Sequence, residues 1–100
     1  MARLGILLCS GLEADLARVA RLCTAARGRG LLVQLFLMVE GVRHLVNPAL
    51  GELVGHGVEV VACATNAEQL RVIADDVELL GSQHEHAAMV HASDRLLTFT

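Results

Sequence analysis

One hundred residues, 54% of them apolar, with a formal charge of −3, fit a single small domain spanning residues 1–100. All eight basic residues are arginine, Phe36 and Phe99 are the only aromatics, and no basic stripe accompanies them, so the chain lacks a nucleic-acid footprint. Its longest apolar stretch, Leu31 to Val39, is interrupted by Gln34 and is too short for the roughly 18 residues of a membrane span, so no membrane partner is expected.

Arg3 to Cys9 reads as a first strand, with Leu4, Ile6, Leu7 and Leu8 apolar. Ser10 and Glu13 have capping-box spacing. From there Leu12, Leu16, Val19, Ala20 and Cys23 recur at helical intervals until Gly28 and Gly30 end the helix. Leu31 to Met38 is the second strand, apolar on both sides like a parallel strand between helix layers. Glu40-Gly41 turns the chain, and Val42 to Val46 has room for one helical turn. Asn47 then caps a helix that starts at Pro48 and runs to about Val54, closed by Gly55 and Gly57.

Val58 to Ala62 is the third strand. Thr65 and Glu68 repeat the capping-box spacing, so a helix from about Asn66 to Ala74 is expected to start within two residues of Cys63. Val77 to Leu80 reads as a short strand, Gln83 to Ala92 as a helix behind Gly81-Ser82, and Arg95 to Phe99 as the last strand. Strands alternating with helices predict an α/β fold, a three-layer α/β/α domain with a parallel sheet of about five strands. A small domain buries a limited share of its surface, so the apolar surplus points to an oligomer.

The strand ends put Cys9, Glu40-Gly41 and Cys63 on one carboxyl edge, where open α/β sheets bind ligands. A thiol at a helix N-terminus feels the positive end of the helix dipole and unpaired N–H groups, so Cys63 is expected to be an accessible nucleophile. The plainer reading makes it a small buried hydrophobe. Cys9 holds the analogous place after the first strand, with a core role favoured, and Cys23 lies on the apolar stripe of the first helix.

Three cysteines without CxxC or zinc spacing imply free thiols, a reducing cytoplasm and no metal. His84, His86 and His91 are separated by two and five residues, which does not stack three ligands on a helix, so they read as a solvated face. His44 and His56 are loop residues that could approach Cys63. Arg27-Gly28-Arg29-Gly30 precedes a strand, the reverse of a dinucleotide motif, so no cofactor is implied. The first residues run straight into a strand, so no leader is expected.

Several segments together resemble the DsrE/DsrF-like family, which includes the YchN-like proteins and the TusD-type sulfur-relay subunits. They are Leu4-Gly5-Ile6-Leu7-Leu8, Phe36-Leu37-Met38-Val39-Glu40-Gly41-Val42, Gly57 to Cys63, Gly81-Ser82, Met89-Val90 and Ala92 to Phe99. The resemblance covers almost the whole chain. It implies an oligomeric α/β/α domain, a homotrimer or hexamer or a hetero-oligomer with related subunits. It also implies that Cys63 accepts sulfur as a persulfide from a donor protein and passes it to an acceptor. Cys9, Thr65, Asn66, Glu40 and Gly41 are the accessory candidates. Many YchN-like members carry a second cysteine three residues on; Asn66 stands there, so a two-cysteine cycle within this loop is excluded. The loop after the second strand is shorter than in TusD-type subunits. Two rivals follow: an oligomeric interaction module of the same fold without chemistry, and a small-ligand or metal-binding protein using Cys9, Cys63 and a histidine.

Overall fold

A computed structural model describes residues 2–72 and 79–100. Five parallel strands form one sheet in the order β4-β3-β2-β1-β5: β1 (Arg3–Leu8), β2 (Leu32–Leu37), β3 (Glu59–Cys63), β4 (Leu80–Gly81) and β5 (Arg95–Phe99). Helix α1 (Glu13–Gly28) returns the chain from β1 to β2. It buries Leu16, Val19, Cys23 and Ala26, at intervals of three and four residues. Helix α2 (Ala49–Gly55) packs Leu50 and Leu53 into the same core. A 3-10 helix (Val39–Val46) precedes it, α3 (Ala64–Gln69) follows β3, and α4 (Gln83–Ala92) leads into β5.

The chain winds from β1 through β4 in one direction, then jumps back beyond β1 to β5. Parallel crossovers are right-handed, so the reversal puts α4 on the face opposite α1 and α2. The expected three-layer α/β/α fold is therefore present. Alternation along the strands divides the side chains: buried Ile6, Leu8, Val33, Leu35, Leu37, Val60 and Ala62 line one face, whereas Gln34, Phe36 (also buried), Glu59 and Val61 alternate onto the α4 side.

Several local expectations change. Ser10 does not cap α1: the cap position is Leu12 and carries no side-chain cap bond. Buried Ser10 instead donates its hydroxyl to Asp15 and accepts from the Leu12 N–H at 3.1 Å. Thr65 does not cap α3 either, because the strand passes directly into the helix and Cys63 is itself the cap residue, without a side-chain cap bond. The box forms instead at a third Ser/Thr-x-x-Glu, Ser82 to Glu85. Ser82 accepts from the His84 N–H, and Glu85 accepts from the Ser82 N–H at 2.6 Å. Asn47 lies one residue before the cap position of α2, which is Pro48 and carries no side-chain cap bond, although Asn47 Oδ1 accepts from the Ala49 N–H at 2.9 Å. The single turn expected at Val42 to Val46 is a 3-10 helix of eight residues. The helix expected to reach Ala74 ends at Gln69 and starts two residues earlier than Asn66. Of the strand expected over Val77 to Leu80, Leu80 opens β4; residues 77–78, like 73–74 of the expected helix, lie outside the described residues.

Candidate functional site

The carboxyl ends of β1, β2 and β3 share one edge of the sheet, so Cys9, Glu40-Gly41 and Cys63 lie along it as expected. The 3-10 helix is clamped there at three points. Gly41 sits directly on the end of β1, so close that a Cβ would fall 1.9 Å from the Leu8 carbonyl oxygen. His44 is buried, with Nε2 2.8 Å from the Ser10 carbonyl oxygen. The Val39 N–H donates to Asn66 Oδ1 at 2.8 Å. That last bond holds Val39 at φ 54°, a left-handed conformation that costs a β-branched residue on the order of 1–3 kcal/mol. Asn66 thus has a definite role: it ties the loop after β2 to the helix after β3. Glu40 pairs with Arg43 on the exposed side of the 3-10 helix, and Thr65 is exposed on α3.

Cys63 differs from expectation in its surroundings. The residue is only 3% exposed. As the third residue of the Glu59-Val61-Cys63 alternation it points to the α4 side of the sheet, where the first turn of α4 covers it. Gln83 Nε2 donates to its sulfur at 3.6 Å, a normal length for an N–H···S bond. The Gln83 carbonyl is then left as the acceptor, and His86 Nδ1 lies 3.0 Å from it, so Nδ1 carries the proton. His86 is therefore not part of a solvated face. Its ring packs on Phe36 with centroids 5.2 Å apart, and its Nε2 is enclosed without a hydrogen-bond partner among the described residues. His84 and His91 are exposed, as expected.

The amide array stands where a helix dipole was expected. With six residues, α3 supplies little macrodipole, and no capping box is present at its start. The polar group on the sulfur is instead a side-chain N–H from α4. His44 is engaged by Ser10, and His56 is exposed at the end of α2 with its carbonyl accepting from Arg27; the histidine bonded to the amide on the sulfur is His86.

The other thiols are unlike it. Cys23 is fully buried in α1, and burial pushes its pKa up to about 11. Cys9 is half-buried, and burial raises its pKa as well. Cys9 and Cys63 follow strands two places apart in the sheet, so their Cα atoms are separated by roughly 10 Å. A disulfide requires less than about 7 Å, so the two cannot pair within one chain without backbone movement. Among the described residues no three His, Cys, Asp or Glu side chains converge on a common point, so the cluster a Cys9-Cys63-histidine metal site requires is not assembled there.

No family model matches this sequence, and a search of curated proteins finds no match either. The fold is similar to the solved structure of a conserved protein of unknown function from Bacteroides thetaiotaomicron. The TM-score is 0.82 at 15% sequence identity, over 97% of this chain and 94% of that one. At that identity the likeness shows the shared α/β/α architecture alone. Among the described residues no helix is long and apolar enough to cross a membrane.

Gln83 and His86 are the site residues that sequence reasoning missed. Their signal was available: Ser82-x-x-Glu85 fixes where α4 starts, and Gln83 and His86 are then one turn apart on one flank. Which strand that flank faces depends on the crossover back over β1, and no local pattern encodes it.

Proposed function

We propose that this chain is a DsrE/DsrF-like sulfur carrier that holds sulfane sulfur as a persulfide on Cys63. The observation that supports it is the Gln83 N–H donated to the Cys63 sulfur, in line with His86. A cysteine that only fills a core needs no such donor, whereas a thiolate or persulfide anion gains from one. In loading, the Cys63 thiolate attacks the outer sulfur of a donor persulfide, R–S–SH. A new S–S bond forms, the donor's S–S bond breaks, and the donor leaves as R–S⁻. In unloading, an acceptor thiolate takes the outer sulfur of Cys63–S–SH and Cys63 departs as thiolate. Because Cys63 is 3% exposed, with its sulfur bonded by the amide of exposed Gln83, access involves moving that amide aside. On this reading the protein works in the reducing cytoplasm, with donor and acceptor proteins as partners. Exposed Leu12, Val46, Val54, Val90, Leu96 and Leu97 favour an oligomer.

The test is the intact mass of native protein after incubation with glutathione persulfide. Wild type and Cys9→Ser should each gain one sulfur, and Cys63→Ser none. Gln83→Leu should load but lose its sulfur faster to a thiol acceptor. Sulfur gained by Cys63→Ser would refute the assignment. One observation, the burial of Cys63, favours the second reading, an oligomeric interaction module without chemistry. A wild type that takes up no sulfur, with Cys63 inert to alkylation in the native state, would establish that module instead.

A further inference from the structure

The sheet face beneath α4 is not fully packed. A cleft of about 280 Å³ opens between the helix and the strands, floored by Phe36 and Val61, flanked by Met89, and ringed on its polar side by Arg3, Gln34, Glu59 and Glu85. Its volume is that of roughly nine waters, enough for a ligand of eight or so heavy atoms. The polar groups define what such a ligand must present. Gln34 Nε2 donates to Glu59 Oε2 at 2.6 Å, which fixes the orientation of the amide: the opposite flip would set a carbonyl oxygen against a carboxylate. The Gln34 carbonyl oxygen is therefore the free end, and it is enclosed without a partner among the described residues. An enclosed, unpaired acceptor is costly, so a donor at that point is favoured.

Glu59 adds charge to the same place. Among the described residues the ion pairs within 4.0 Å are Arg18–Asp15 and Arg43–Glu40, and Glu59 is in neither. The cleft thus offers one amide oxygen and two carboxylates, those of Glu59 and Glu85, against the single guanidinium of Arg3, above an apolar floor. The ligand class that answers all three features is a cation with several N–H donors on a hydrocarbon body. A second copy of this chain cannot supply an ammonium side chain, because the sequence contains no lysine.

We propose that this cleft binds a small primary amine with an apolar body. Its ammonium donates to Gln34 Oε1 and to Glu59, and its hydrocarbon lies against Phe36, Val61 and Met89. The site stands apart from the sulfur reading, since none of these groups touches the Cys63–Gln83–His86 array except Phe36, which stacks on His86.

Calorimetric titration of the full chain with benzylamine tests it, with benzyl alcohol and benzoate as parallel ligands, to about 10 mM because fragments of this size bind weakly. Benzylamine should saturate and bind at least about tenfold more tightly than either comparator. Glu59→Gln and Gln34→Leu should each weaken it about tenfold, as expected for losing a charge-assisted bond. Cys63→Ser should bind as wild type does. Glu59 is exposed, so Glu59→Gln serves if Gln34→Leu fails to fold. Absence of saturable heat would mean that the cleft holds water only and would overturn the proposal. So would preference for benzoate, which would place Arg3 in control, or undiminished benzylamine binding by the folded variants.

Discussion

Replacing Gly41 by alanine adds one methyl group at the most crowded backbone approach at the carboxyl edge. The new Cβ would lie 1.9 Å from the Leu8 carbonyl oxygen and 2.8 Å from its carbonyl carbon, where real contacts stay above 3.0 Å. The 3-10 helix must therefore retreat from β1 by at least 1.1 Å, the difference between 3.0 and 1.9 Å. Flexible side chains cannot absorb this, because both obstructing atoms are main chain. Leu8 O also accepts the Met38 N–H at 3.1 Å, a bond the same displacement would stretch beyond hydrogen-bonding length. Overpacking of this kind costs about 2–3 kcal/mol, and the lost bond adds about 1. The reduced entropy of the unfolded chain returns somewhat under 1 kcal/mol, leaving a net destabilisation of about 3 kcal/mol. For a domain of this length that lowers Tm by about 12–20 °C. Gly51→Ala is the control, since the same methyl added there, in α2, meets nothing within 4 Å and should stabilise by about 0.5–1 kcal/mol. Urea unfolding followed by circular dichroism reads both. Gly41→Ala within 1 kcal/mol of wild type would refute the claim that the backbone contact fixes the 3-10 helix.

Two pH dependences follow from named groups. Burial raises the Cys23 thiol from 9.0 to about 11, so the folded protein keeps this proton where the unfolded chain loses it. Its contribution is complete below pH 9 and is lost as pH rises through 11; Cys23→Ala should flatten the alkaline fall of the urea midpoint, and an unchanged slope would contradict this. The hydroxyl and then the backbone N–H of Ser82 hold Glu85 below its ordinary 4.5, so the cap contributes above that value and fades as pH drops through the lowered one. Glu85→Gln should therefore make the acid-side loss of α4 helicity shallower, whereas an identical acid profile would show that the capping box does not hold in solution.

The strand-helix alternation was legible because it follows from a period of 2 against one of 3.6, and those periods survive tertiary context. Four of the five strands lie where their apolar runs put them, and of the stripe expected along α1, Leu16, Val19 and Cys23 are buried, whereas Leu12 is the exposed cap residue. Helix starts were less legible, and the reason is visible in three copies of one motif. Ser10, Thr65 and Ser82 each precede a glutamate by three residues, yet only Ser82 forms the box. Ser10 is buried beside the 3-10 helix, where Asp15 and the Leu12 N–H claim its hydroxyl. Thr65 is one residue inside a helix that starts at once after β3. Ser82 follows a two-residue edge strand and lies exposed at the start of α4, where the carboxylate its hydroxyl donates to is that of Glu85, the box's own N3 residue, so local chemistry prevails there.

The same distinction separates the readable part of the site from the rest. That Cys63 ends a strand at the carboxyl edge follows from the sequence of β3 alone. That its sulfur is covered, and by what, depends on the return crossover from β4 to β5, which brings α4 back over the sheet. Gln83 and His86 are ordinary helix residues until that crossover sets them against Cys63 and Phe36. A reactive thiol was expected from the backbone that follows it, but its polar partner comes from a helix twenty residues later in the chain. Chemistry at Cys63 should accordingly respond more to Gln83 than to Thr65: losing the Gln83 amide removes the donor on the sulfur, whereas Thr65 caps nothing. A Thr65→Ala variant that changed sulfur transfer as much as Gln83→Leu would return the argument to the helix start and away from α4.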